Sequence, residues 1–341
     1  MVRAGLEAGR WAPSHVANCS GGTKPEAGSG KLEAKSMTYT RREIGQLALT
    51  MIPAARILGD VSLFAQAKPN SKVNGVQIGL NVPYSFGGRN MEADELLKKC
   101  VDVGVSALEL RSQPIETFMG APKELVDGRG TDPAVMEAIT KWRLSAPMDQ
   151  AKAFRKKYND AGVLIEIMKV DGIFGYSDAA LDYVFNLAKA VGARAISTEI
   201  AEDGPKRLGE FADKHQLMVG YHGHEATGPE DWMKLFAYAK HNGANLDIGH
   251  FVSGDHGSPV PFLKEHHDRI THIHVKDRKT HKGPNVPFGE GDTPIAEVLH
   301  LIRDNKWPIQ ATIEFEYPVP AGSDRMAEIK KSVEFCRKAL A

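Results

Sequence analysis

Apolar and polar positions along this chain follow two periods that take turns. From about residue 76 onward, short runs of alternating or continuously apolar character are separated by stretches whose apolar residues return every three or four positions. The first pattern predicts strands and the second amphipathic helices. Strands are expected over 76–84, 106–111, 162–170, 195–200, 217–225, 244–250, 270–276 and 310–317, and helices over 91–103, 147–161, 178–191, 205–215, 229–242, 294–305 and 325–340. Strands alternating with helices imply a parallel sheet, and a count of eight favours closure into a single (β/α)8 barrel, an α/β fold, over an open sheet. No G-x-G-x-x-G follows the first strand, which speaks against a dinucleotide fold. Residues 112–145 are long and mixed, with Gly120, Pro122, Gly128, Gly130 and Pro133. An insertion after a barrel strand lies at the active-site mouth, so this stretch is expected to be a substrate lid.

Strand 270–276 is unusual. Its alternation puts His272, His274 and Lys276 on one face and Ile273 and Val275 on the other. Burying such groups without partners costs on the order of 2–7 kcal/mol each. Core histidines paired to backbone carbonyls would satisfy one imidazole. With Asp247 and Glu314 ending neighbouring strands, a divalent metal and a polar ligand lying against that face account for the set better.

Chemistry in such a barrel sits at the C-terminal strand ends. The polar residues there are Glu199 on the fourth strand, His222, His224 and Glu225 on the fifth, and Asp247 and His250 on the sixth. The seventh supplies His274, Lys276 and Asp277, and the eighth Glu314 and Glu316. Carboxylates packed this closely raise one another's pKa unless a cation lies between them. A mixed N/O donor set suits Mn²⁺, Zn²⁺, Co²⁺ or Fe²⁺ rather than Ca²⁺. Lys276 shares the inward face with His274; Glu316 has the pleat parity of Glu314 but lies nearer the rim, and His224 and His250 are placed to hydrogen-bond a substrate. Asp277 and Arg278 are expected in a loop. Tyr84, Phe86, Phe174, Tyr176 and Trp232 are candidates for stacking on a ligand, with ordinary packing as the alternative for each.

Four motifs, Gly220-Tyr221-His222-Gly223-His224, Leu246-Asp247-Ile248-Gly249-His250, His272-Ile273-His274-Val275-Lys276-Asp277 and Ile313-Glu314-Phe315-Glu316, resemble those of the xylose isomerase-like, sugar phosphate isomerase/epimerase TIM barrels. That family includes ketose 3-epimerases, inosose dehydratases and relatives acting on 3-keto sugars. The resemblance covers about residues 75–340 and implies Asp247, His274 and Glu314 as metal ligands. Many members supply a further Glu from the fifth strand; this chain has His222 there, so the fourth ligand is either His222 or Glu199. The implied activity is that of a metal-dependent sugar isomerase or epimerase working through an enediolate on a keto sugar or 3-keto-glycoside, with Glu316, Lys276, His224 and His250 as the acid–base candidates. Expelling a β-oxygen from the same intermediate gives a lyase or dehydratase instead.

Upstream, residues 1–36 show no periodicity and read as disordered or as a start called too early, with Met37 as the true beginning. Thr40-Arg41-Arg42-Glu43-Ile44, a weakly apolar run to Phe64 and Ala65-Gln66-Ala67 together resemble a twin-arginine export signal, which implies a periplasmic protein. Cleavage after Ala67 leaves about 270 residues, close to the roughly 250 typical of one barrel. Pro53, Arg56 and Asp60 interrupt the run, so it is not a membrane span. Export points to free sugars or oxidised glycosides rather than sugar phosphates. With 43 basic and 43 acidic side chains the formal net charge is zero. Nucleic acid is therefore not an expected partner, which counts against an apurinic-endonuclease reading of the same barrel. A non-catalytic sugar-binding barrel would not need so many metal-type residues. The three cysteines, Cys19, Cys100 and Cys336, have no paired spacing, so no disulfide framework is indicated. Homo-oligomerisation is left open.

Overall fold

The computed structural model describes residues 67–127 and 132–341. The leader read over 37–67 therefore lies outside the described residues except for Ala67, as do residues 1–36 and Cys19.

Eight strands carry the fold: β1 Val76–Val82, β2 Ala107–Arg111, β3 Leu164–Lys169, β4 Ala195–Glu199, β5 Met218–His222, β6 Asn242–Asp247, β7 Ile270–Val275 and β8 Gln310–Ile313. Each is hydrogen-bonded in parallel to its neighbours in chain order, and β8 pairs back onto β1. The sheet is thus closed, a (β/α)8 TIM barrel, with the two-residue strand Lys72–Val73 added antiparallel to β1. Among the described residues no helix is long and apolar enough to cross a membrane.

Local sequence explains the helices that match expectation. Asp178–Val191 starts where Ser177 accepts from the Ala180 amide and stops at Gly192, whose φ of 84° is the left-handed conformation a helix C-cap favours. Pro205–His215 opens on proline, whose missing N–H is one the helix start leaves unpaired anyway. Arg325–Leu340 is capped by Asp324, which accepts from the Ala327 amide. Toward these helices the strands turn Ile78, Leu80, Leu108, Leu110, Val219, Leu246, Ile273 and Ile313, all fully buried.

Four expectations need correction. The sixth strand was expected to run to His250, but β6 ends at Asp247. There the Oδ1 atom of Asp247 accepts the His250 amide at 2.8 Å and caps a helix, Ile248–Ser253. Every residue of that helix is buried, so its apolar run reads as strand when only hydropathy is considered. Gly249 is required by the close approach of this helix to β7: a Cβ there would lie 2.4 Å from Lys276 Cγ. Likewise the helix expected over 229–242 ends at Tyr238, and Asn242 already belongs to β6. The stretch 112–145 is not loop. It holds the helices Ser112–Phe118, Lys123–Asp127 and Pro133–Ser145, following β2 on the mouth side of the barrel. Lastly, Asp277–Arg278 pairs antiparallel with Asn285–Val286, and both residues are buried. Asp277 organises the turn beyond by accepting the Gly289, Gly291 and Thr293 amides at 2.7, 2.9 and 3.2 Å.

The interior of the barrel is polar, where layers of branched apolar side chains are usual. Buried polar groups need partners, and many find them within the lumen. Asn245 donates to Ser197 at 3.3 Å and Asn81 to Glu314 at 2.7 Å, while Gln310 donates to Thr312 at 2.8 Å.

Candidate functional site

Strand register assembles the site. Asp247 lies opposite His274 across β6 and β7, and Glu199 opposite His222 across β4 and β5. Glu314 is the first residue beyond β8, anchored by its amide to the Val275 carbonyl at 3.1 Å. Four buried side chains, His222, Asp247, His274 and Glu314, consequently bring one donor atom each within 4.8 Å of one another. His222 Nε2 is 3.3 Å from Asp247 Oδ2 and 3.9 Å from Glu314 Oε2; His274 Nδ1 is 3.7 Å and 3.1 Å from the same two oxygens. Ligands about 2.1 Å from a tetrahedral metal stand about 3.4 Å apart. The observed spacings scatter around that value, so these residues fit a divalent transition metal.

Both histidines turn their second nitrogen onto a carboxylate. His222 Nδ1 is 2.9 Å from Glu199 Oε2, and His274 Nε2 is 2.5 Å from Glu109 Oε2. A carboxylate behind a ligating imidazole sets its tautomer and raises its basicity. Glu199 thus stands behind His222, in a group with His222 and His224, rather than among the four converging donors. Its other oxygen receives the buried ammonium of Lys169 at 2.6 Å. Burial opposes ionisation of Glu199, but the His222 and His224 hydrogen bonds and the Lys169 charge hold the carboxyl far below its usual range.

Lys276 lies against the cluster, fully buried, with Nζ 3.0 Å from Asp247 Oδ2, 2.6 Å from Glu314 Oε2 and 2.5 Å from Glu316 Oε2. Burial works against its charge, yet Asp247, Glu314 and Glu316 raise its pKa well above the ordinary lysine value. Reciprocally, burial disfavours the Asp247 and Glu314 anions. The Lys276 charge outweighs that for Asp247, as do His274 and Lys276 for Glu314, and both stay well below ordinary carboxyl values.

The rim carries the remaining candidates. Glu316 is partly buried and accepts from Tyr84 at 2.7 Å as well as from Lys276. His250 is buried, which pulls its pKa down to about 4, and lies 3.2 Å from Lys276 Nζ and 2.7 Å from Arg278 Nη1. His224 is half exposed, and its hydrogen bond to Glu199 at 2.9 Å raises its pKa. The metal and acid–base candidates named from sequence, Glu199, His222, His224, Asp247, His250, His274, Lys276, Glu314 and Glu316, therefore lie in this one place. Among the aromatics, Tyr84 reaches it through Glu316. Trp232 is a core residue donating to the Tyr221 carbonyl, and Phe174 stacks on Tyr221. Tyr176 lies under the Arg143 guanidinium.

Sequence reasoning missed Glu109, Lys169, Asn81 and Arg278. The signal for Glu109 was present: in Ala107-Leu108-Glu109-Leu110-Arg111 a lone carboxylate sits between two leucines of the opposite pleat. It is fully buried, and although burial opposes its charge, His274 and His272 keep it ionised. Glu109→Gln, which retains the shape and loses the charge, should weaken metal binding about 10–100-fold in a competitive chelator titration. Unchanged affinity would show that Glu109 does not orient His274.

Comparisons with known proteins agree with this fold. The xylose isomerase-like TIM barrel family matches residues 185–339, the part of the chain that contains β4 to β8 and the four donors. Inosose dehydratase of Lactiplantibacillus plantarum is 37% identical over 149 residues, covering 37% of this chain and 49% of that protein. Inosose dehydratase of Clostridium botulinum is 38% identical over 136 residues, covering 33% of this chain and 45% of its own length. The chain thus spans less than half the length of these curated relatives. Among solved structures, the probable 3-DHS dehydratase AsbF of Bacillus anthracis has a TM-score of 0.53 at 14% identity, covering 76% of this chain and 98% of that one. D-Psicose 3-epimerase of Clostridium cellulolyticum has a TM-score of 0.55 at 12% identity, covering 78% and 99%. At such identities the likeness establishes the fold. Closed barrel, partial family match and solved neighbours converge on the fold: the chain is a (β/α)8 TIM barrel whose residues 185–339 are similar to the xylose isomerase-like TIM barrels, and its structural neighbours include sugar epimerases.

Proposed function

We propose that the protein is a lyase that performs β-elimination on a keto sugar or keto-glycoside, with a divalent metal held by His222, Asp247, His274 and Glu314. A metal in that position polarises the ketone and acidifies the adjacent C–H. The observation that carries the reading is the asymmetry of the rim. A carboxylate, Glu316, is bonded to Lys276 at the cluster, and a different group, the His224 imidazole, is held by Glu199. Glu316 takes the α-proton, with Tyr84 and Lys276 fixing its orientation. As the C=C bond forms, the β C–O bond breaks and His224 gives its proton to the departing oxygen, releasing water or an alcohol. The partly matched inosose dehydratases support an elimination. The twin-arginine-type leader read over 37–67 supports a periplasmic location and an unphosphorylated substrate.

Epimerisation or isomerisation is the second reading. It needs a second group able to return the proton, and His250, 3.2 Å from Lys276, is the residue placed for it.

The deciding experiment incubates the Mn²⁺-loaded protein in D₂O with a panel of ketohexoses, inososes and 3-keto-glucosides, followed by NMR. Loss of the α C–H signal together with an unsaturated product is the expected result. An accumulating epimer or isomer without an alkene would replace elimination by the second reading, and no exchange with metal bound would overturn both. His224→Gln should slow product release from the C–O bond by about 10²–10⁴-fold while α-proton exchange continues. Equal loss of exchange and product would take the acid role away from His224.

A further inference from the structure

Behind the four mouth donors, five contiguous strands carry buried polar side chains: Asn245 on β6, His272 on β7, Gln310 on β8, Asn81 on β1 and Glu109 on β2. Register sets Asn245 and Gln310 beside His272, and Asn81 beside Glu109. Gly79 makes room for one of them, since a Cβ there would lie 2.4 Å from Gln310 Nε2. His272 stands two residues before His274 on the same strand, about 7 Å deeper.

Each of the five keeps one polar atom without a hydrogen-bond partner: Asn245 Oδ1, His272 Nε2, Gln310 Oε1, Asn81 Oδ1 and Glu109 Oε1. All are acceptors. The Asn81 amide nitrogen is turned to the Glu314 carboxylate, which only accepts, and this leaves its oxygen free. For His272 the neighbours fix the tautomer. Thr271 Oγ1 gives its one proton to the Ala244 carbonyl at 3.1 Å, so at 2.8 Å it accepts from His272 Nδ1. The lone pair is then on Nε2, which faces Glu109 Oε1 at 3.4 Å with no proton between them. A water could donate to two of these atoms, but none of the five is a donor for the water's own lone pairs. A cation satisfies acceptors alone. Neutral amide oxygens are of the carbonyl class that replaces the hydration shell of a monovalent cation. The single carboxylate matches a single charge, whereas a second divalent ion would bury surplus positive charge close behind the mouth metal.

We propose that this layer holds one monovalent cation of the sodium or potassium class, bound by Glu109 Oε1, His272 Nε2 and the amide oxygens of Asn81, Asn245 and Gln310. The other oxygen of Glu109 is bonded to His274 Nε2, so the ion braces a mouth ligand through one carboxylate. The inference rests on the lumen alone and is independent of the elimination reading.

Thermal unfolding tests it on the divalent-loaded protein at constant ionic strength, with choline chloride exchanged for sodium or potassium chloride. The alkali salt should raise Tm by roughly 3–10 °C at saturating ion. His272→Phe and Asn245→Leu each remove one acceptor and keep the shape, and each should lose at least about half of that rise. Equal melting of the parent in choline and in both alkali salts would overturn the site. A rise undiminished in both variants would place the ion on the surface and overturn it as well. Crystals of the parent grown in thallium(I) acetate decide the matter should neither variant fold. An anomalous peak between Glu109 and His272 is the expected result, whereas water alone, or a divalent ion, at that position would sink the proposal.

Discussion

Asp247→Ala and His274→Ala should each give a barrel that retains no stoichiometric divalent metal and loses at least about three decades of kcat/KM, the equivalent of roughly 4 kcal/mol of transition-state stabilisation. The reason is geometric. Asp247 Oδ2 and His274 Nδ1 belong to the four atoms whose spacings match a tetrahedral ligand set, and no other described side chain joins that group. Asp247 has a second duty, since its Oδ1 caps Ile248–Ser253. Loss of that cap costs about 1 kcal/mol, so Asp247→Asn, which can still accept the His250 amide, separates the two effects. It should fold like the parent and bind metal poorly. Metal content by mass spectrometry, read beside turnover, decides the matter: a variant with full activity and no metal would refute the assignment.

How much of this was legible in the chain depended on the range over which each feature is encoded. The alternation His272, His274, Lys276 lies within one strand and is visible directly, and parallel pairing places its polar face inward. Helices with their own stop signals, such as Asp178–Val191 before Gly192, were readable to the residue. Asp247 misled because the following Ile-Gly-His-Phe-Val is apolar enough to extend a strand, whereas an aspartate oxygen on the His250 amide turns it into a helix. The three helices after β2 escaped because their glycines and prolines separate short elements and so mimic loop composition. Glu109 escaped for a different reason: its partner His274 is 165 positions away. Period-two patterning can put Glu109 on the face opposite Leu108 and Leu110, but only barrel closure says what it faces. The same holds for the fourth donor. Sequence left Glu199 and His222 as alternatives, and three-dimensional order puts them in series, carboxylate behind imidazole.

Replacing Lys276 by methionine should expose how the cluster is held together in the absence of metal. Its ammonium touches Asp247, Glu314 and Glu316 at once, in a place where all but Glu316 are fully buried. Removing one partner of a buried ionic set strands the rest and costs about 3–5 kcal/mol. For a domain of this size that corresponds to a fall in Tm of roughly 6–20 °C. Methionine keeps most of the stem, so the loss is one of charge more than of packing. Two dependences distinguish this cause from a simple packing defect. Lowering the pH should narrow the gap from the parent, because a protonated carboxyl no longer repels its neighbour. Adding a divalent cation should raise the Tm of Lys276→Met more than that of the parent, because the cation replaces charge that only the variant lacks. Thermal unfolding of chelator-treated protein with and without Zn²⁺ measures both. Equal melting of parent and variant without metal would mean that the carboxylates are discharged in some other way, and the ammonium would then have no structural claim on the site and only its contact with Glu316 to explain its burial.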